Sequence, residues 1–503
     1  MQGVNILIGD GALGVQPPDP GARYVVVGLA SATTSNPSPF TVDDVTEPLT
    51  TRDPAAFAKM FGRTKGTEAA AYLCQNSGAT ITFIGFKKSG AAVDEFRTDP
   101  VTGTTQLTVT FSQEVLDDVS CVVKFSKGGI IGTAVLEYSL SLDGGQNFGP
   151  TKTMAGTTIP LTPYAGNLVF TAAEVVAAGD IQVASSKAPT GVTNARKAVQ
   201  NALLLPFSFK GGLLASNESN ATITSIAADI DAAEASKTWT YLCVETRDIG
   251  WDGGETVSAW GAVAAATAQC AVSKRYYPFP GHAPTAGGYA DSPSMRRSFA
   301  WHAALRQLVN AEHTDPGRRT TGNGSILSPI AILQPPVVGY MKDKTKTGNP
   351  EYVHDERVTP IFDALGIAST ETIKGRNGLF IKNGRLQSPP GSDFDLVQFI
   401  EVMNRGARII YDALLTFYHT DVRVNAGGTI LEEDAVVIEE FVKSKLEVMK
   451  ADGNVSEVQF SVSRVDPILS TRTLTCSGGL QPKGYAKTIN AGLSYVPVVV
   501  TSA

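Results

Sequence analysis

This chain is short of charge. Only 18% of its 503 residues are Asp, Glu, Lys or Arg, against about 25% in a typical globular protein. The 42 Lys and Arg nearly balance 48 Asp and Glu, leaving a net charge of -6. That balance excludes an electrostatic case for coating nucleic acid or an anionic membrane. Long apolar runs are also missing. A spanning helix needs ~20 mostly apolar residues, and the most apolar helical stretch, 259–272, is interrupted by Thr267 and Gln269. It reads as a buried helix, and no membrane insertion is expected. Met1 to Asn5 carries no basic region, so no signal peptide is expected. Five cysteines (Cys74, Cys121, Cys243, Cys270 and Cys476) are too few and too scattered for a disulfide framework or a zinc site. They are expected to be reduced and mostly buried. Cys476, in a Gly-rich segment, and Cys74 are the candidates for an intersubunit disulfide.

What is present is ample for a core: 43% of residues are hydrophobic and the mean hydropathy is +0.01. The length suggests two to four domains. A near-neutral, charge-poor chain of this size without a membrane helix is expected to hide surface against protein.

Val4, Ile6 and Ile8 alternate as a short strand, and Tyr24 to Leu29 forms a second. Asp53-Pro54 opens a short helix that Gly62 stops. A second helix over about 66–76 ends at Gly78 and leads into a strand from Ala79 to Phe86. Between about 100 and 187 the pattern turns to short Thr/Val-rich strands, which suggests a β-sandwich or small barrel inserted into an α/β domain. Helices return over about 193–203, 217–236, 255–273 and 292–312, with a strand from Trp239 to Glu245. The last part of the chain carries helices over 393–417 and 430–450, then strands over 455–465, 469–475 and 485–500. The first of these helices sets Leu396, Phe399, Ile400, Met403, Ala407, Ile410 and Leu414 on one face. Its opposite stripe is Glu401, Arg405, Arg408 and Asp412, with opposite charges four apart. The second repeats the scheme with Glu433, Glu440, Lys443 and Glu447 outside. Pro497 confines the last strand to an edge or to a partner's sheet.

Chemical motifs are weak. Gly9-Asp10-Gly11-Ala12-Leu13-Gly14 matches a dinucleotide fingerprint, but Pro17, Pro18 and Pro20 forbid the helix that must follow. Ser141-Leu142-Asp143-Gly144-Gly145 resembles an aspartate box, where it serves as a hairpin turn. The histidines (His282, His302, His313, His354 and His419) show no metal-ligand spacing, and no Ser sits in a nucleophile elbow. Arg318-Arg319 and the lysines of 342–346 are basic loop islands without clustered aromatics. No catalytic residue, cofactor or metal is expected.

Segment 23–86 resembles the early portion of contractile phage tail sheath proteins. The residues that carry this are Val25-Val26-Val27-Gly28, Pro37 and Pro39, Phe57 to Gly62, Ala69, Ala70 and Leu73, and Gly78-Ala79-Thr80-Ile81. The C-terminal part is similar in order, with a long helix bearing Arg405 and Arg408, a second amphipathic helix and closing strands. Ser31-Ala32-Thr33-Thr34 stands where that family has a Gly-Pro step.

The resemblance implies a mixed, multidomain α+β chain: an α/β sheath core with an inserted β-sandwich-like domain and extended terminal strands. The expected parts are a linking arm (1–20), an α/β domain (21–99 and 188–340), an outer β-rich insertion (100–187), an inner tube-facing domain (341–490) and a linking strand (491–503). Residues 2–15 can reach ~45 Å when extended, and two apolar ends suit strand addition to neighbours. Val4, Ile6 and Ile8, with Tyr495, Val496, Val498 and Val500, are the candidate linking residues. The implied function is a structural subunit that polymerises helically around a tail tube and contracts to drive it through a host envelope. Its implied partners are copies of itself, the tube protein, and baseplate and tail terminator proteins, with no direct nucleic acid. It would sit in the virion tail after assembly in the host cytoplasm. The charged stripes of the two late helices are the candidate tube-facing surface. Two other readings stand beside this one: a tail tube or baseplate component, and a β-rich receptor- or glycan-binding spike.

Overall fold

The computed structural model describes residues 23–33, 35–87, 93–99, 107–112, 119–142, 148–162, 166–187, 194–216, 218–246, 257–279, 298–317, 360–372, 374 and 379–484. The terminal candidates Val4, Ile6, Ile8, Tyr495, Val496, Val498 and Val500, the glycine motif at 9–14, the Asp143-Gly144-Gly145 turn and the basic islands lie outside them.

The strands run in chain order as β1 (Arg23–Leu29), β2 (Leu49–Thr51), β3 (Thr80–Phe86), β4 (Val93–Asp99), β5 (Val109–Phe111), β6 (Val119–Lys127), β7 (Gly129–Ile130), β8 (Leu136–Ser141), β9 (Lys152–Met154), β10 (Thr158–Pro160), β11 (Asn167–Phe170), β12 (Val175–Val176), β13 (Ile181–Lys187), β14 (Gly211–Ala215), β15 (Leu242–Glu245), β16 (Tyr276–Phe279), β17 (Thr370–Thr372), β18 (Leu379–Ile381), β19 (Val455–Val462) and β20 (Cys476–Pro482). The helices are α1 (Pro54–Phe61), α2 (Lys65–Ser77), α3 (Asn194–Leu203), α4 (Asn220–Ala233), α5 (Val257–Ala268), α6 (Phe299–Val309), α7 (Val397–Leu415), α8 (Glu432–Ala451) and the one-turn α9 (Ile468–Thr471). The chain divides into two compact units at Arg405/Gly406, within α7.

The first unit is built on a sheet in the order β16-β15-β14-β1-β3-β2, parallel throughout except for β2. Its central strands are covered on both faces, which is why β1 is apolar without alternation. Tyr24 and Val26 point into the core beneath α2 and α6, whereas Val25, Val27 and Leu29 enter the core beneath α3 and α4. Asp53 caps α1, its side chain accepting from the Ala55 amide, and Pro54 occupies the first helical position. Thr64 and Thr67 form a capping box at the start of α2, which Gly78 ends in the left-handed region.

Strand order reverses between β1 and β14, the place where such sheets ordinarily open a ligand crevice. Here that end is packed by the chain itself. A Cβ on Gly28 would lie 2.5 Å from the Gly66 Cα, so α2 rests directly on the end of β1. Beside it, buried Lys65 pairs with Glu245 at 3.1 Å, and the Trp301 indole donates to the same carboxylate at 2.9 Å.

Strands β4 to β13 form sheets and a core of their own. One sheet runs β4-β13-β6-β8-β9, another β10-β11-β5, and β12 pairs with β7. Phe125 of the first sheet meets Phe170 of the second edge-on at 6.0 Å. The expected start of this block at 100 moves to 93, because β4 pairs along its whole length with β13. Strands β8 and β9 pair on either side of the Asp-Gly-Gly segment.

Three expectations are corrected. The helix read as buried over 259–272 hides one side only: Ala264 and Ala268 are buried, while Val263 and Val272 are exposed. The strand expected over 469–475 is replaced by α9, and the strand begins at Cys476 instead. Pro467 opens that turn, and Arg472, at φ 55°, ends it. The boundary expected at 341 is replaced by the division at Arg405/Gly406, because Ala368, Ile381, Leu386, Val397 and Ile400 join the core of the first unit. Gly211-Gly212-Leu213-Leu214-Ala215, a stretch with no expected element, forms the strand β14 near the middle of the sheet. Its glycines admit Tyr241, whose ring atoms would lie 2.5 Å from a Cβ at Gly211.

Candidate assembly surfaces

The second unit presents a two-stranded antiparallel sheet, β19 with β20. Alternation in β19 buries Val455, Val458, Phe460 and Val462. The apolar stripe of α8 (Ala435, Ile438, Val442, Leu446 and Met449) is buried, and α8 packs on β19. The second half of α7 lies close to β20: a Cβ on Gly406 would sit 2.4 Å from Leu480 Cδ1, and one on Gly478 3.1 Å from Ile410 Cδ1. Along β20, Ser477, Gly478, Gly479, Gln481 and Pro482 are exposed, and no residue of the strand is charged. Among the described residues β20 pairs only with β19, so its outer edge offers backbone donors and acceptors without the charged side chains that usually blunt an edge.

Ion pairs fix this unit's corner. Arg464 bridges Glu432 at 2.8 Å and also pairs with Glu439, which accepts from the Val462 amide at 2.7 Å. Arg423 holds Asp434 at 2.6 Å and Glu433 at 3.0 Å. These guanidinium contacts hold the Glu439 and Asp434 carboxyls below the usual carboxylate range.

The candidate tube-facing residues separate into two groups. On α8 the side chains of Glu433, Glu440 and Glu447 are 76%, 69% and 52% exposed, with Lys443 beside them. The exposed Val437 and Val448 share that side of the helix. On α7 the expectation of an outward stripe is overturned. Glu401 is 1% and Arg408 7% exposed, Arg405 is bound to Glu312 at 3.0 Å, and Asp412 alone of the four is exposed. Glu401 faces Lys210 at 3.5 Å. Around them Gln398 donates to Asp315 at 3.3 Å, and Asn404 accepts from Arg275 at 2.8 Å. Meanwhile Phe399, Met403 and Ala407, assigned to the hidden face, are only half-buried. The polar stripe is a docking face because matching polar groups wait for it in distant parts of the chain.

The cysteines carry no disulfide in this chain. Cys74 is 2% exposed inside α2, and burial pushes its thiol up to about 11. It is removed as an intersubunit candidate, since a neighbour reaches it only if α2 unpacks. Cys476, half-buried at the start of β20, also has a raised thiol pKa, from burial and then the nearby Asp466 and Glu439 carboxylates. Among the described residues no cluster of His, Cys, Asp and Glu is arranged to hold a metal, and no helix is long and apolar enough to cross a membrane. His302 is packed against the Tyr72 hydroxyl at 3.0 Å, and burial lowers its pKa to about 3, so it is neutral at physiological pH.

These features define a mixed α/β chain of several sheets, with a sheet edge and a charged helix face turned outward. No family model and no curated protein sequence matches it. Among solved structures it is similar to the helical sheath of the anti-feeding prophage in its contracted state, at 10% identity over 98% of each chain with a TM-score of 0.47. It is also similar to the sheath tail protein of Desulfitobacterium hafniense, at 10% identity over 96% of this chain and 100% of that one, TM-score 0.42. A third is the sheath tail protein of Listeria innocua, at 10% identity over 91% and 94% of the two chains, TM-score 0.38.

Proposed function

We propose that this protein is a structural, non-catalytic subunit of a contractile tail sheath, polymerising helically around a tail tube and contracting to drive it through a target envelope. The observation that carries this reading is the uncharged edge of β20, unpaired among the described residues, in a chain that also has apolar, alternating sequence at both ends. In this account Val4, Ile6 and Ile8 of one copy, and Tyr495, Val496, Val498 and Val500 of another, add to such an edge. Each added strand contributes ~5 backbone hydrogen bonds of ~1 kcal/mol net, besides apolar burial. Head-to-tail contacts of this kind do not close, so they generate a helical filament. The shortage of charge fits a chain whose surface is largely covered by copies of itself.

The tube side is assigned to α8, through Glu433, Glu440, Lys443 and Glu447, with Asp412 on the outer turn of α7. Glu401, Arg405 and Arg408 are withdrawn from that surface. The β4–β13 block faces outward, where its loops vary without disturbing the mesh. Assembly in the host cytoplasm, with baseplate and tail terminator proteins closing the ends, completes the reading. Electron microscopy of the purified full chain in negative stain tests it. Long hollow sleeves are expected, whereas discrete trimers would point to a spike and contradict the proposal. If Cys476 bridges neighbours, non-reducing gels of assembled particles will show a ladder that reduction removes.

A further inference from the structure

Helix α5 carries no charged residue, alone among the described helices longer than one turn. Its inner side is accounted for. Ala264 and Ala268 are buried with Phe362 and Ile367, and a Cβ on Gly261 would lie 3.0 Å from Ile361 Cγ2. Its outer side is uncovered among the described residues. Ser258, Ala259, Ala262, Val263, Ala266 and Gln269 are exposed, and the apolar surface continues at Val272, which is 64% exposed. On a helix that faces water, charged residues ordinarily take such positions, as they do on α8. An uncharged outer side of this kind fits apolar protein.

The chain itself supplies a segment of matching chemistry. Residues 318–359, outside the described residues, leave at Gly317 and return at Pro360. Gly317 lies against β18 and the residue after it, where a Cβ on Gly317 would sit 2.7 Å from the Lys382 carbonyl oxygen. The return falls directly on α5, since Ile361 and Phe362 belong to its inner packing. Within the stretch, 326–341 is uncharged and rich in large apolar side chains, among them Ile326, Leu327, Ile330, Ile332, Leu333 and Val337. Charges bracket it, with Arg318 and Arg319 before and Lys342, Lys344 and Lys346 after. A run of this composition is driven out of water. Pro329, Pro335 and Pro336 bar it from a helix interior or a central strand, so it is suited to lie extended on a surface already formed. Residues 342–359 span up to ~60 Å when extended, several times the ~10 Å width of a helix. The run therefore reaches the outer side of α5 from its point of return.

We propose that the run 326–341 of the same chain docks along the outer side of α5, over Ala259, Ala262, Val263 and Ala266. The alanines let an extended backbone approach closely. Ile330 and Ile332, two apart and so on one side of an extended chain, are the anchors. The helix is then held between 361–367 on its inner side and 326–341 on its outer side. All of these residues belong to the first unit, and the inference stands whether or not the chain builds a sheath.

Maleimide labelling of the full chain tests it. Ala262→Cys places a thiol beneath the docked run, and incorporation of N-ethylmaleimide at that position is read by peptide mass in dilute solution. Adding Ile330→Asp and Ile332→Asp to the same chain should speed labelling at 262 by at least about tenfold. Protection should be the same at low and at high protein concentration. Equal rates with and without the two aspartates overturn the proposal. Protection that disappears on dilution also overturns it, by assigning the cover to a second copy. Should the aspartate variant fail to fold, Val437→Cys, at a 60% exposed position of α8, is the reference. Slower labelling at 262 than at 437 upholds the docking, and equal or faster labelling overturns it.

Discussion

Helices α7 and α8 carry near-identical sequence grammar and opposite structural fates. Both show an apolar stripe opposite a charged one, with charges paired at helical spacing. On α8 the charged stripe meets solvent: Glu440 is 69% exposed and pairs with Lys443, one turn away at 3.5 Å. On α7 the first half of the stripe lies on a buried side, with Glu401, Asn404 and Gln398 each 1% exposed or less, and of the stripe's four charges Asp412 alone is exposed. What differs is the rest of the chain. Lys210, Arg275, Gln307, Glu312 and Asp315 are placed to satisfy α7, whereas α8 is stabilised through its apolar stripe on β19. A charged stripe thus reports a helix face that needs polar neighbours, and water is only one source of them.

This contrast can be broken at its strongest point first. Lys210→Met removes the cation nearest Glu401 and leaves the Gln307 and Asn310 carbonyls without their donor. A loss of about 3 kcal/mol or more is expected, read as a lowered denaturation midpoint. A smaller effect is expected for Glu439→Gln, which weakens the Arg464 bridge at the edge of the second unit by about 1–2 kcal/mol. Because the Glu439 carboxyl is held below its usual range, its contribution is present at neutral pH and disappears as the solution is acidified through that lowered value. The difference between natural chain and variant should therefore vanish in acid; a constant difference would refute the assignment. The smallest effect on folding belongs to the exposed stripe. Replacing Glu433, Glu440 and Glu447 together by Gln should change stability by no more than about 0.5 kcal/mol per site. It should still alter binding to a tube if α8 faces one, and sedimentation with tube filaments measures that.

Local signals in the sequence were enough for α1, α2 and β3, because Asp53-Pro54, Thr64 and Gly78 act on their own neighbours. The β-rich block was legible as a class for the same reason. Strand β14 was not, since Gly211-Gly212 looks like a turn until Tyr241 is known to lie across it. The start of the block was misjudged because β4 reads as a strand only beside β13. Of the candidate surface, the α8 half was readable from its own period. The α7 half depended on residues between 83 and 191 positions earlier in the chain, from Asp315 with Gln398 to Lys210 with Glu401, which no local pattern encodes.

The central claim is that this chain is built to join copies of itself through its ends. Deleting residues 1–15 and sedimenting the purified chain under assembly conditions tests that most directly. The account predicts a folded, soluble monomer with an unchanged melting temperature and no polymer. Sleeves of normal length from the deleted chain would contradict it.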